Sequence, residues 1–157
     1  MKKGNKTFVW VFVIVVVAIG LLGYRSFFGG GEAEGKVPCF NSALREAMHI
    51  HPQLKIRIDG RDQLIPANIG LDLACHRLIH THDTTGVLHV ESHVVKDFTL
   101  GEFFAVWEKP FSRTQILDNI ADAEHEITMT VDGQPNQEYE NLILKDQQQI
   151  VIEYKGK

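Results

Sequence analysis

The 157-residue sequence predicts an α+β fold: an N-terminal transmembrane helix followed by a small mixed-sheet domain with one or two helices. Three observations predict it. Residues 7–24 form an uncharged apolar run, alternating apolar and polar stretches flank a short segment of helical spacing, and glycine-containing turns separate the alternating stretches. The composition, 44% apolar and 23% charged, suits one globular core plus an accessory segment.

The apolar run, TFVWVFVIVVVAIGLLGY, is long enough at about 1.5 Å per residue to cross most of a bilayer core. Lys2, Lys3 and Lys6 precede it, whereas Arg25 is followed by Glu32 and Glu34. This positive-inside asymmetry leaves residues 1–6 in the cytoplasm and exports the chain beyond the run. The expectation is a single-pass signal-anchor at 7–24 in the cell membrane, a Gly-rich linker at 25–36 and an extracytoplasmic domain at 37–157. A cleaved signal peptide is the rival reading, but the run is long for one and no A-x-A site comes after it. Both readings export the domain.

Within the domain, residues 49–59 (HIHPQLKIRID) alternate at Leu54, Ile56 and Ile58, and Asp59-Gly60 supplies a turn into RDQLIPANIG, which predicts a hairpin. Residues 77–82 and 87–92 alternate again around the turn Asp83-Thr84-Thr85-Gly86, a second hairpin. Thr99 and Glu102 form a capping-box pattern, and Leu100, Phe103, Phe104 and Trp107 then repeat at helical spacing, a short core helix. TQILDNIADA, at 114–123, reads as a second helix, and ITMTVDG and LILKDQQQIVIEY read as closing strands. The segment from TVDGQPN to QQQIVIEY resembles the closing part of a β-grasp domain.

The two cysteines, Cys39 and Cys75, fall in the exported part, where a disulfide persists, and they are expected to pair. Thiolate metal ligation is the alternative, without C-x-x-C spacing to support it. The net charge of −4 and the lack of a basic stripe argue against nucleic acid, whose binding needs clustered Lys and Arg.

Five of the eight histidines fall between His76 and His93, together with Asp83 and Glu91. Strand side chains alternate between faces, so His76, His80 and His82 share one side, as do His89, Glu91 and His93. With a four-residue loop at 83–86, His80 opposes His89, His82 opposes Val87 and His76 opposes His93. The same register gathers Ile79, Leu88 and Val90 on the other face, as a half-buried hairpin requires. Opposed Cβ atoms lie about 5 Å apart, within reach of one metal ion bound at about 2 Å by each imidazole.

The candidate metal ligands are therefore His80, His82 and His89, with His49 and His51 as a further H-x-H pair and with Glu91 and Asp83 as ligands or as partners orienting a histidine. Imidazole with carboxylate suits a divalent transition metal, zinc or copper among them. The bland alternative is a polar hairpin whose histidines only fill space. An acid-base site at His80, His82 and Asp83 needs a nucleophile or a substrate pocket, and no catalytic motif is present, so an enzyme is the less favoured reading. His125 is expected on the surface.

These residues resemble those of a group of small membrane-anchored bacterial and archaeal proteins. The shared elements are Cys39, His49 and His51, Pro66 to Gly70 (P-A-N-I-G), Cys75, His80 to Asp83 with Gly86, His89 and Glu91 (H-T-H-D-x-x-G-x-x-H-x-E), and Leu100 to Trp107 (L-G-x-F-F-x-x-W). The resemblance covers most of residues 37–111 and implies one exported domain. It marks His80, His82, His89 and Glu91 above His76 and His93, and it implies no activity. Three functions remain open: metal buffering or delivery at the outer membrane face, an interaction module that docks an envelope protein through its exposed sheet, and, less favoured, a metal-dependent hydrolase whose ion keeps an open coordination position.

Overall fold

The computed structural model describes residues 37–157; the predicted anchor at 7–24 and linker at 25–36 lie outside the described residues. Among the described residues no helix is long and apolar enough to cross a membrane. The domain is α+β with mostly strands and one α-helix.

The first predicted hairpin strand is divided in two. β1 (Met48–Ile50) and β2 (Gln53–Ile58) lie in different sheets, with Pro52 between them. Proline has no N–H to give to a ladder and fixes its own φ, so it marks the place where the chain changes sheets. β2 turns into β3 (Arg61–Gln63) through Asp59 and Gly60, both at positive φ, 50° and 74°, as a two-residue primed turn requires.

β4 (Ile79–His80) and β5 (His89–Ser92) pair antiparallel with Ile79 opposite Val90 and His80 opposite His89, the register expected from the loop length. The ladder stops there, so the expected pairs His82 with Val87 and His76 with His93 do not form. Val87 bridges Gln53 and His76 bridges Leu71, because neighbouring chain competes for both ends of the hairpin. β1 adds to the other side of β5, with His49 opposite Glu91 and Ile50 opposite Val90, giving a three-stranded sheet of order β1-β5-β4.

The helix α1 (Leu100–Val106) has the predicted capping box: Thr99 Oγ1 accepts from the Glu102 amide, and the Glu102 carboxylate accepts from the Thr99 amide at 2.6 Å. Leu100, Phe103 and Phe104 are buried. The predicted second helix at 114–123 does not form. Its residues make a short meander of β6 (Phe111–Ser112), β7 (Gln115–Ile116) and β8 (Asn119–Ile120). Leu117 at φ 52° breaks a right-handed helix, and Ile120 is exposed while Ile116 is buried, so no helical apolar face exists to dock.

β9 (His125–Val131), β10 (Gln134–Asn136), a 3-10 turn at Tyr139–Asn141 and β11 (Gln149–Gly156) complete the chain. β11 runs parallel to β2 and antiparallel to β9, so the second sheet is mixed, of order β10-β9-β11-β2-β3. Leu54 and Ile56 of β2, Ile127 and Met129 of β9, and Ile150 and Ile152 of β11 share one core with the face of α1 and with Ile79, Leu88 and Val90 behind the histidine hairpin. Cys39 and Cys75 form the expected disulfide, which excludes them as thiolate ligands. Its sequence separation of 36 corresponds to about 3 to 4 kcal/mol in the chain-entropy account.

The hairpin tip is pinned to the strand junction. Leu88 N–H donates to Pro52 O, Leu54 N–H donates to Gly86 O, and the Gln53 side-chain Nε2 donates to Thr85 O. Gly86 adopts φ +84°, and a Cβ there would run into the Leu54 carbonyl. Gly86→Ala is expected to destabilise the domain by about 2 kcal/mol or more, combining left-handed strain with a backbone clash. A urea-unfolding midpoint equal to that of the wild type would show that the tip is not anchored in this way.

Candidate metal centre

The pleat of β5 places His89 and Glu91 on one side and Val90, fully buried, on the other. Across from them stand His80 on β4 and His49 on β1. Ile50, Ile79 and Val90 face the core, so the opposite face of this small sheet is a histidine face.

His80 is its floor. The ring is fully buried, and Nδ1 lies 3.0 Å from the Arg77 carbonyl oxygen. A carbonyl only accepts, so Nδ1 carries the proton and Nε2 presents a lone pair. Burial, followed by the neighbouring His76, pushes the His80 pKa down to about 3, which keeps the ring neutral. Two further imidazole nitrogens are aimed at that Nε2: His76 Nε2 at 3.0 Å and His82 Nε2 at 3.2 Å. One lone pair accepts one well-aligned N–H, so His76 and His82 compete for it. A cation satisfies all three at once.

The separations fit that view, since ligand atoms bound tetrahedrally at about 2.0–2.1 Å stand about 3.3 Å apart. Glu91 is buried beside them, its Oε1 3.7 Å from His80 Nε2 and 3.4 Å from His49 Nε2, and its Oε2 3.8 Å from His76 Nε2. Ligand atoms of His80, His82, His89 and Glu91 all lie within 4.8 Å of one another, and these four side chains can hold a metal ion. His89, half-buried, has its pKa lowered to about 4 by burial and then by His82, His51 and His49. A second group within the same limit is His49, His51 and His89, and a third is Glu46, His49 and Glu91.

Asp83 belongs to none of these three groups. Its Oδ1 accepts from the Thr85 amide at 2.8 Å and from Thr85 Oγ1, bonds that close the turn and hold its carboxyl below the usual range. His93 is also committed elsewhere: Nε2 accepts the Asn41 amide at 3.0 Å, Nδ1 donates to Arg45 O at 3.2 Å, and the ring stacks on Phe40 at 4.4 Å. His125 lies apart, bonded to Asp122 and stacked on Tyr154.

Four supporting groups escape sequence reasoning. Glu46 Oε1 sits 3.2 Å from His49 Nδ1, an E-x-x-H spacing that a search for orienting carboxylates would have flagged. Asp146 accepts the His51 amide at 2.8 Å and lies 3.7 Å from its Nδ1, with nearly a hundred residues between them and no local signal. The Arg77 carbonyl fixes the His80 tautomer, and buried Thr81 bonds Pro66 O at 2.8 Å and the Ile69 amide at 3.1 Å, which ties the P-A-N-I-G segment to the back of β4. A cleft of about 370 Å³ between the β9–β10 hairpin and residues 142–148 touches these groups only at Asp146.

No protein-family model, curated protein or solved structure matches the chain, and the chemistry rests on the geometry. Its first consequence concerns acid. An unfolded histidine titrates near 6.5, whereas folded His80 does so at about 3. Between those values the unfolded chain holds a proton that the folded chain lacks, so the stability present above pH 6.5 is lost as pH falls toward 3. In the presence of chelator, His80 alone is expected to cost about 2 kcal/mol by pH 5. Urea midpoints at pH 7 and pH 5 should fall less steeply in His80→Gln than in the wild type; equal slopes would mean that His80 protonates freely in the folded state.

Proposed function

We propose that this domain is displayed outside the cell on its single N-terminal anchor and binds a divalent transition metal, zinc or copper, which it buffers or delivers at the membrane surface. The observation that carries this reading is the gathering of ligand atoms of His80, His82, His89 and the buried Glu91 within 4.8 Å of one another. Imidazole and carboxylate donors without thiolate favour borderline divalent ions over soft monovalent ones. His80 and Glu91 form a buried floor while His82 and His49 stand exposed at the rim, so an ion enters and leaves from the solvent side, as exchange requires.

The strand order β10-β9-β11-β2-β3, with the last strand central and parallel to the first strand of its sheet, supports a β-grasp-like reading of the scaffold. The proteins that carry the H-T-H-D-x-x-G-x-x-H-x-E pattern fall under the same proposal, since that pattern supplies His80, His82, His89 and Glu91.

The test uses the full-length chain in mild detergent, titrated with zinc and with copper(II) against a chromophoric chelator. The His80→Ala/His82→Ala variant should bind more than about 100-fold more weakly, beyond the roughly 10- to 100-fold typical of lost orienting partners, while its circular dichroism is unchanged. Saturating metal should raise the unfolding temperature of the wild type alone. Absence of binding by the folded wild type sinks the metal reading and turns attention to docking of an envelope protein on the same face. For the anchor, protease added to intact cells should degrade a C-terminal epitope tag; a tag protected until the cells are lysed places the domain on the other side.

A further inference from the structure

The histidine face carries more donors than one ion takes up. A tetrahedral ion uses four ligands, yet His49, His51, His80, His82, His89 and Glu91 fall in overlapping groups of possible ligands, and His76, outside those groups, stands with its Nε2 3.0 Å from His80 Nε2. We propose that the face holds two cations: His76, His80, His82 and Glu91 gather round the first, and His49, His51 and His89 round the second, with the Glu91 carboxylate between them. This rests on the metal-binding reading and sets its stoichiometry and its internal bridge.

The partition comes from distances. His89 stands within 4.8 Å of the ligand atoms of both groups, whereas His76 Nε2, 3.0 Å from His80 Nε2 and 3.8 Å from Glu91 Oε2, is close to the first group alone, so in the proposed arrangement His76 serves the first ion. That leaves His89 for the second, with its Nδ1 3.5 Å from His49 Nε2 and its ring centroid 4.8 Å from that of His51. Glu91 spans the boundary: its Oε1 lies 3.4 Å from His49 Nε2 on β1 and 3.7 Å from His80 Nε2 on β4, and its Oε2 lies 3.8 Å from His76 Nε2, so Oε1 stands between the two groups and Oε2 belongs to the first. A carboxylate at such a boundary is the usual anion to link two close cations, because it screens their mutual repulsion.

The second group is also prepared for ligation. His49 Nδ1 lies 3.2 Å from Glu46 Oε1, which orients that ring and leaves its Nε2 for an ion, while Asp146 Oδ1 holds the His51 backbone amide at 2.8 Å and lies 3.7 Å from His51 Nδ1. The negative charge of both carboxylates offsets that of a second dication. His93 provides the contrast on the same chain segment: both its nitrogens are consumed by backbone groups, and no carboxylate lies against it among the ion pairs of the described residues.

The experiment counts ions on the full-length chain in detergent. Zinc is measured by elemental analysis after dialysis against a weak chelator, and copper(II) loading is followed by electron paramagnetic resonance. Two zinc ions per chain are expected, falling to one in His49→Gln/His51→Gln, with a half-field copper signal from coupled ions that this variant abolishes. One ion per chain, retained in that variant and lost in His80→Gln/His82→Gln, overturns the second site and leaves the metal-binding reading standing. Two copper ions with only isolated-ion spectra overturn the bridge, and no ion at all overturns both readings. The wild-type count and spectrum decide the matter even where a variant fails to fold.

Discussion

The site depends on one constraint, the pleat of a three-stranded patch whose other face is in the core. Val90 is fully buried against Ile79 and Ile50, so its neighbours His89 and Glu91 are forced together onto the opposite side. A slip of one residue along β5 would turn an imidazole and a carboxylate into the apolar core and expose Val90. The cost of such a slip, several kcal/mol for an unpaired buried polar group, keeps the histidines in register without any contribution from a ligand.

Two opposed demands meet at His80. Its burial removes water that would favour a charged ring, and its bond to the Arg77 carbonyl commits the single proton to Nδ1. The remaining nitrogen is a neutral donor held in a dry pocket, the state in which imidazole binds a cation without first releasing a proton. Glu91, adjoining it, supplies the one buried negative charge in the group.

Much of this is legible in the sequence because it rests on local rules. Alternation and a four-residue loop place His80 against His89, the capping box locates α1, and the compartment argument pairs Cys39 with Cys75. The illegible part depends on contacts distant in sequence. Residues 114–123 read as a helix, but only Ile116 of its two isoleucines finds a place in the core and Leu117 takes a left-handed backbone. The ends of the histidine hairpin are claimed by Gln53 and Leu71, which no inspection of the hairpin alone reveals. Asp146 reaches His51 from the far end of the chain.

The change of sheet at Pro52 has a consequence for selectivity. β1 delivers His49 and His51 to the small sheet and β2 continues into the large one, and the tip of the histidine hairpin is bonded to the junction between them. Donors far apart in the sequence are thus assembled when the chain folds, so the entropy of gathering them is met before any ion arrives. A frame pinned at that corner yields little to the coordination preference of its guest. Were an ion held on this face, the spacing the backbone imposes would select it, and ions demanding a wider or more numerous shell would meet a template pinned by backbone bonds instead of a loop.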